Sequence, residues 1–232
     1  TPFTPFMASV VKVTVFLAFI RLFHFSFRDM ATSWQLMLAV MIALTLLIGN
    51  VTAVYQQSVK RMLAYSSIAQ AGFMLFAVFA ANASSWDGII LYSVSYTLAT
   101  LGIFAVLQKM KDYTYDGFRG LAKKQPVLAL TATISLLSLA GIPLTGGFFA
   151  KYYVLNAAME QGLWTGLLVF AVLMAAISAY YYFKVIMSMY FQEGEAELEE
   201  EPTVPEKTIL LINAGLILLV GILPGLLLKF SL

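Results

Sequence analysis

Long apolar runs, rather than alternation, organise this chain. Seven stretches carry the roughly 20 mostly apolar residues that a membrane-crossing helix needs. They cover residues 6–27, 33–55, 61–82, 88–108, 126–157, 163–191 and 208–229. The runs lack the period-two pattern of a barrel strand, and lipid offers no partner to unpaired backbone. The expected fold class is therefore all-α: a polytopic membrane helix bundle, one membrane domain spanning 1–232, with seven crossings. Two connections are long. One is basic, "QKMKDYTYDGFRGLAKKQP", with its loop over 109–125, and the other is acidic, "FQEGEAELEEEPTVPEK", over 192–207.

One run is broken. Within 126–157 the stretch "SLAGIPLTGGFFAKYYVL" places Gly141, Pro143, Gly146 and Gly147 ahead of Lys151. Proline removes an amide donor and clashes with the carbonyl four residues back, while the glycines let the backbone leave helical geometry. A discontinuous helix is expected near Gly141–Gly147. Irregular backbone is tolerated at membrane depth where it is enclosed or lines a wet cavity. A simple packing kink at Pro143 is the alternative.

Composition sharpens the class. Hydrophobic residues are 61% of the chain and charged residues 11%, with mean hydropathy +0.86, whereas soluble domains carry about 25% charged residues. The absence of cysteine excludes disulfides, thiolate metal sites and a cysteine nucleophile. A lone histidine, His24, leaves no ligand set for haem, zinc or a di-iron centre, so no redox chemistry is expected in the chain itself. It opens on Thr1-Pro2 without an initiator Met or a signal-peptide pattern, which reads as a piece of something longer.

Basic residues set the orientation. If the second-to-third, fourth-to-fifth and sixth-to-seventh connections share a side, that side holds Lys60, Arg61, Lys109, Lys111, Arg119, Lys123, Lys124 and Lys207. The opposite side holds Arg21, Arg28 and Lys229. The first group is placed in the cytoplasm, matrix or stroma, with the C-terminus outside. The acidic run Glu193 to Glu201 is then a solvated connector or a docking surface for a basic partner.

Three lysines remain inside spans: Lys12, Lys151 and Lys184. An ionisable group near the bilayer centre costs about 2.5–3.5 kcal/mol on insertion scales, so each is a functional candidate beside the alternative of a satisfied buried lysine. Lys184 is near enough to the cytoplasmic end of its span to snorkel. Lys12 and Lys151 are deeper. Desolvation opposes the charge of a lysine beside a wet cavity, which suits it to take up and release protons.

The third span opens "VKRMLAYSSIAQAGFML". Lys60 and Arg61 stand at its mouth, as anchors or as part of a path. Tyr65, Ser66, Ser67 and Gln70 follow, with Ser66 and Gln70 on one face. The fourth span repeats the pattern with Tyr92, Ser93, Ser95, Tyr96, Thr97 and Thr100. Such groups should face the bundle, as interhelical hydrogen bonds or as partners of ordered water. Together they make a polar seam.

"KRMLAYSSIAQAGF" and "SLAGIPLTGGFFAKYYVL", in this order and separation, resemble subunit N of the proton-translocating NADH-quinone oxidoreductase, respiratory complex I, an antiporter-like membrane family. "TPFTPFMASVVKV" resembles that family's Pro-Thr-Pro lead-in to its eighth helix. The resemblance covers the whole chain, helices eight to fourteen of fourteen. It implies that Lys12 matches a helix-eight lysine of the central hydrophilic axis, Lys60 the lysine opening the "KRxLAYSS" helix, and Lys151 the lysine following the broken twelfth helix. The sister subunits L and M carry His and Lys on the helix matching Leu91–Leu107, where this chain has Tyr and Thr. Lys rather than Glu at 151 also disfavours subunit M.

The resemblance further implies an inverted-repeat fold, of which this chain supplies the second repeat and the last helix of the first. The family's Glu and lysine of the N-terminal half precede this chain. No carboxylate is expected inside a span, with Asp29, Asp87 and Glu160 in loops. No cofactor is expected in this chain, with FMN, iron-sulfur clusters and quinone in partner subunits. The expected partners are the antiporter-like subunit M, the small subunit K and the lipid bilayer, without nucleic acid, in a bacterial inner membrane with the C-terminus periplasmic. The rival functions are a subunit of a multisubunit sodium/proton antiporter and a purely structural membrane-arm subunit.

Overall fold

Apolar helices account for nearly all of the chain. The structure is a computed structural model that describes residues 6–27, 30–162 and 164–228; Arg28, Asp29, Lys229 and the Pro-Thr-Pro lead-in lie outside them. The long helices are α1 (Met7–Phe25), α2 (Ala31–Val54), α3 (Val59–Ala80), α4 (Ala83–Lys109), α5 (Pro126–Ala140), α6 (Gly146–Met159), α7 (Thr165–Phe191) and α8 (Val204–Ile222). The first turns of α1, Met7–Val11, are π-helical and end at Lys12. Among the described residues six helices are long and apolar enough to cross a membrane. The remaining crossing is built from the two half-helices α5 and α6.

The centre of the bundle is α3 and α4. Phe73, Phe76 and Phe79 of α3 are fully buried, as are Ile89 and Ile103 of α4 and Tyr181 and Tyr182 of α7. The half-helix α6 packs on both central helices, and α5 and α8 pack on α4. By contrast α2, α7 and α8 leave rows of Leu, Val, Ile and Met exposed, as a lipid-facing surface requires.

The connections segregate to two faces. Backbone bonds tie the basic and acidic segments together: Lys111 N donates to Glu197 O at 3.0 Å and Glu199 N to Lys109 O at 2.9 Å. Val59 N donates to Tyr113 O at 2.8 Å, which brings the second-to-third connection to the same face. Lys109 pairs with Glu206 at 2.7 Å, and Lys124 Nζ donates to Ala196 O at 2.9 Å. The backbone of the acidic run is thus docked on the chain's own basic loop, while Glu193, Glu195, Glu197, Glu199, Glu200 and Glu201 stay exposed. At the opposite face Glu160 accepts from Asn82, Ser84 and Asn156, and Gln161 Nε2 donates to Ala80 O at 2.7 Å.

Three sequence expectations need correction. The last crossing begins at Val204 rather than 208, because Thr203 and Glu206 form a reciprocal capping box and Pro sits in the first turn. The fourth crossing begins at Ala83, where Asn82 and Ser85 form another box, so Asp87 lies inside α4 and not in a loop. The run 126–157 is two helices ending at Met159, with residues 141–145 between them.

Candidate functional site

The break arises from local signals with distinct roles. Gly141 ends α5 in the left-handed region at φ +84°, and Ile142 N returns to Leu137 O at 3.0 Å, the pattern of a Schellman cap. Pro143 lies outside both helices, so it clashes with no helical carbonyl. It takes the second position of a turn closed by Thr145 N to Ile142 O at 3.3 Å. Leu144, the third residue, accepts φ +73°, where a type II turn ordinarily wants glycine. Gly146 and Gly147 are the first residues of α6 and do not bend the chain. They permit approach: a Cβ on Gly147 would collide with the Ser138 carbonyl, and one on Gly146 would stand 2.6 Å from Ser95 Oγ.

A helix that stops inside the bundle leaves carbonyls without partners. Here Lys151 supplies them. Its Nζ donates to Leu139 O and Ala140 O, both at 2.9 Å, and Gln70 Nε2 also donates to Leu139 O at 2.9 Å. The ammonium stands at the negative end of the α5 dipole, where a cation is favoured. The Phe73 ring lies 4.8 Å from it, and the residue is only 7% exposed. Beside it is a cavity of about 10 Å³, lined by Gln70, Tyr92, Ser95, Tyr96, Ser138 and Leu139 among others. That is space for about one water.

Lys12 lies on the other side of Tyr96 from the Lys151 cavity. Its Nζ donates to Ser67 O at 2.6 Å, Ser67 Oγ at 2.8 Å and Tyr96 Oη at 3.2 Å. It lines a cleft of about 660 Å³ between α1, α3 and α4, with Lys60 and Arg61 at the mouth and Ser66, Thr100 and Leu139 on the walls. Tyr96 and Leu139 line both the cleft and the Lys151 cavity. The Tyr96 hydroxyl thus lies between the Lys12 cleft and a cavity with room for about one water beside Lys151.

These contacts bring together some of the residues of the expected seam. Ser67 and Tyr96 meet at Lys12, Tyr92 donates to Gln70 Oε1, and Ser66 lines the cleft while its hydroxyl donates to Leu63 O of its own helix. Tyr65 and Thr97 are half-buried and join none of the hydrogen bonds among the described residues. Lys60 is exposed at the cleft mouth with its Nζ 5.0 Å from the Tyr113 ring. Lys184 reaches out to the loop, 4.1 Å from the Tyr115 ring, in keeping with an anchoring role. Sequence reasoning missed Tyr182, whose hydroxyl meets Gln70 at 3.2 Å, and Ser138, whose hydroxyl accepts from Gly147 N at 3.1 Å. The run "SAYYYFK" in an otherwise aliphatic span was the available signal for the tyrosine.

Comparison with known proteins adds to this geometry. Residues 1–178 match the family model described as NADH:quinone oxidoreductase/Mrp antiporter, TM. The chain is 39% identical to NADH-quinone oxidoreductase subunit N of Trichlorobacter lovleyi over 238 residues, which is 100% of this chain and 48% of that protein. It is 39% identical to the subunit N of Methylovorus glucosotrophus over 229 residues, 97% of this chain and 47% of that one. The chain thus spans about half the length of the curated relatives it matches. A chain of Thermus thermophilus respiratory complex I with bound aureothin matches with TM-score 0.74 at 35% identity, over 84% of this chain and 45% of that one. A chain of the Mrp complex from a Dietzia species matches with TM-score 0.82 at 20% identity, over 93% and 49%, a likeness of fold alone. With the model extending over more than half of its residues, the chain belongs to the NADH:quinone oxidoreductase/Mrp antiporter transmembrane family.

Proposed function

We propose that this chain carries protons within a subunit N type membrane component of NADH-quinone oxidoreductase, respiratory complex I. NADH oxidation and quinone reduction take place in partner subunits, which hold FMN, the iron-sulfur clusters and the quinone. This chain contributes no redox group. Quinone reduction changes the charge state of a Glu–Lys pair in the other half of the subunit, and that change biases proton transfer through Lys12, Tyr96 and Lys151. The assembly partners are the membrane-arm subunits, with the antiporter-like subunit M and the small subunit K as neighbours. The face bearing the docked basic and acidic loops is cytoplasmic in a bacterial inner membrane, and the C-terminus is periplasmic.

The observation that carries this reading is the sharing of Tyr96 between the two lysine sites: hydrogen-bonded to Lys12 at 3.2 Å and lining the Lys151 cavity. A merely structural lysine would need no such connection.

The test places Lys12→Ala and Lys151→Ala in the full-length subunit of the intact complex and measures NADH-driven proton uptake by inverted membrane vesicles. Lys12→Ala is expected to lower uptake several-fold, and Lys151→Ala by about 100-fold, the lower range for removal of a proton-transfer group. Wild-type uptake in both variants would favour a structural role. Sodium-dependent exchange without NADH would favour the antiporter alternative.

A further inference from the structure

Of the buried polar groups without a hydrogen-bond partner among the described residues, Tyr115 Oη lies on the basic loop and the others lie on α4, α5 and α8. Among the described residues, Thr131 Oγ1 and Ser135 Oγ on α5, Asn213 Oδ1 on α8, and Ser93 Oγ and Ser95 Oγ on α4 are enclosed without a hydrogen bond. Thr131 and Ser135 are fully buried. An enclosed polar group without a hydrogen bond is unfavourable, so Thr131, Ser135 and Asn213 together call for a partner that the protein itself does not supply.

Their placement is ordered. Helical spacing puts Thr131, Ser135 and Ser138 along one side of α5, and Ser138 lines the Lys151 cavity. Gly102 of α4 closes the group from the third side. A Cβ at Gly102 would lie 2.6 Å from Asn213 Oδ1 and would collide with Ser135 Oγ, so all three helices converge on this point. Nearer the Lys151 cavity, Ser95 Oγ and Val220 of α8 both approach Gly146. Polar groups therefore run from the α4–α5–α8 junction to Lys151, on the side away from Lys12.

The same faces of α4 and α8 lead outward. Lys109 and Glu206 each stand seven residues, about two turns, from Gly102 and Asn213 on the same helical faces, and they pair at 2.7 Å. Between the levels lie Val106, Leu128 and Leu210, all buried. A dry layer and an ion pair thus close the outer end.

We propose that Thr131, Ser135 and Asn213 form a second hydration site, through which protons from the face closed by the Lys109–Glu206 pair reach Lys151 without passing Lys12. A proton delivered by hydronium at that face moves along water held by Asn213 and Ser135, then past Ser138 and Ser95. It ends on the neutral amine of Lys151 as an N–H bond, and only O–H and N–H bonds change. The dry layer makes the branch a valve that conducts when the ion pair parts and water crosses. This inference rests on the proton-transfer reading above.

The test uses the full-length subunit in the intact complex, with proton uptake measured per assembled complex. In a Lys12→Ala background, uptake that persists is expected to fall roughly 5-fold when Thr131→Val and Ser135→Ala are added, a barrier increase of about 1 kcal/mol. Both substitutions are nearly isosteric, and Leu216→Ala on the lipid-facing side of α8 serves as the control that leaves uptake unchanged. Asn213→Ser, which keeps a polar atom in the site, should retain most of the uptake that Asn213→Leu removes. If Lys12→Ala leaves no uptake, or if the paired substitutions do not change what remains, the branch is overturned. If Lys151→Ala also pumps normally, it is the underlying proton-transfer reading that fails.

Discussion

The Nζ of Lys151 and the carbonyl oxygen of Leu139 stand 2.9 Å apart, so the lysine that follows the helix break is also the cap of the helix before it. The two roles can be separated. Capping needs a donor at that position, whereas proton carriage needs a group that can lose its charge.

Arginine at 151 distinguishes them. Lys151→Arg keeps donors for the Leu139 and Ala140 carbonyls but remains protonated at any physiological pH. It should therefore hold the thermal midpoint of the solubilised complex near that of the wild type while abolishing proton uptake. Lys151→Met should lose both, with about 1–3 kcal/mol lost for the Ala140 carbonyl left without a donor, since Leu139 O keeps the Gln70 amide. Unimpaired pumping by the arginine variant would show the lysine to be a cap alone.

Tyr96→Phe keeps the ring and removes the hydroxyl that bonds Lys12. Uptake should fall several-fold, as for Lys12→Ala, since Tyr96 lies on the route through Lys12. Tyr113→Phe, which keeps the ring beneath Lys60, should leave uptake unchanged. Equal uptake in the two variants would remove Tyr96 from the route.

Gly147→Ala should destabilise the subunit by more than about 2 kcal/mol, because the added methyl meets the backbone carbonyl of Ser138, which cannot rotate away. Loss of assembled complex in a thermal challenge is the measurement. An alanine variant as stable as the wild type would mean that α5 and α6 separate easily.

Leu144→Gly should act in the opposite direction. The left-handed conformation costs a leucine about 1–2 kcal/mol, and its side chain is 68% exposed, so little packing is lost. Glycine's greater chain entropy offsets part of that gain, leaving a stabilisation of up to about 1 kcal/mol. A lowered thermal midpoint would show that the exposed side chain has a partner in the assembled subunit.

Thr203→Ala removes the hydroxyl from the capping box with Glu206 and should cost about 1 kcal/mol. Faster amide exchange over the first turn of α8 would register it, with the far end of the helix unaffected. Uniform exchange along α8 in both proteins would mean that the box does not set the helix start.

The apolar runs by themselves determined the fold class and the number of crossings, because lipid requires every spanning backbone to satisfy itself and long helices do so locally. The same logic exposed Lys12 and Lys151 as costly and therefore informative, and it located the break to within a few residues. Sequence also grouped the odd-numbered loops against the even ones, which the bonds between Lys111 and Glu197 and between Asn82 and Glu160 uphold.

What only the tertiary structure decided are the meetings between distant segments. Local rules make Pro143 a helix breaker and let Gly146 and Gly147 leave helical geometry, yet the first belongs to a turn and the other two to close helix contact. Nothing local in "GGFFAK" reveals that its lysine reaches back to two carbonyls of the preceding helix, or that Gln70, 69 residues away, shares one of them. Helical periodicity identifies the face on which a side chain lies. Which face of another helix meets it depends on the packing of the whole bundle, and that packing is what sets Tyr96 against Lys12 and in the wall of the Lys151 cavity.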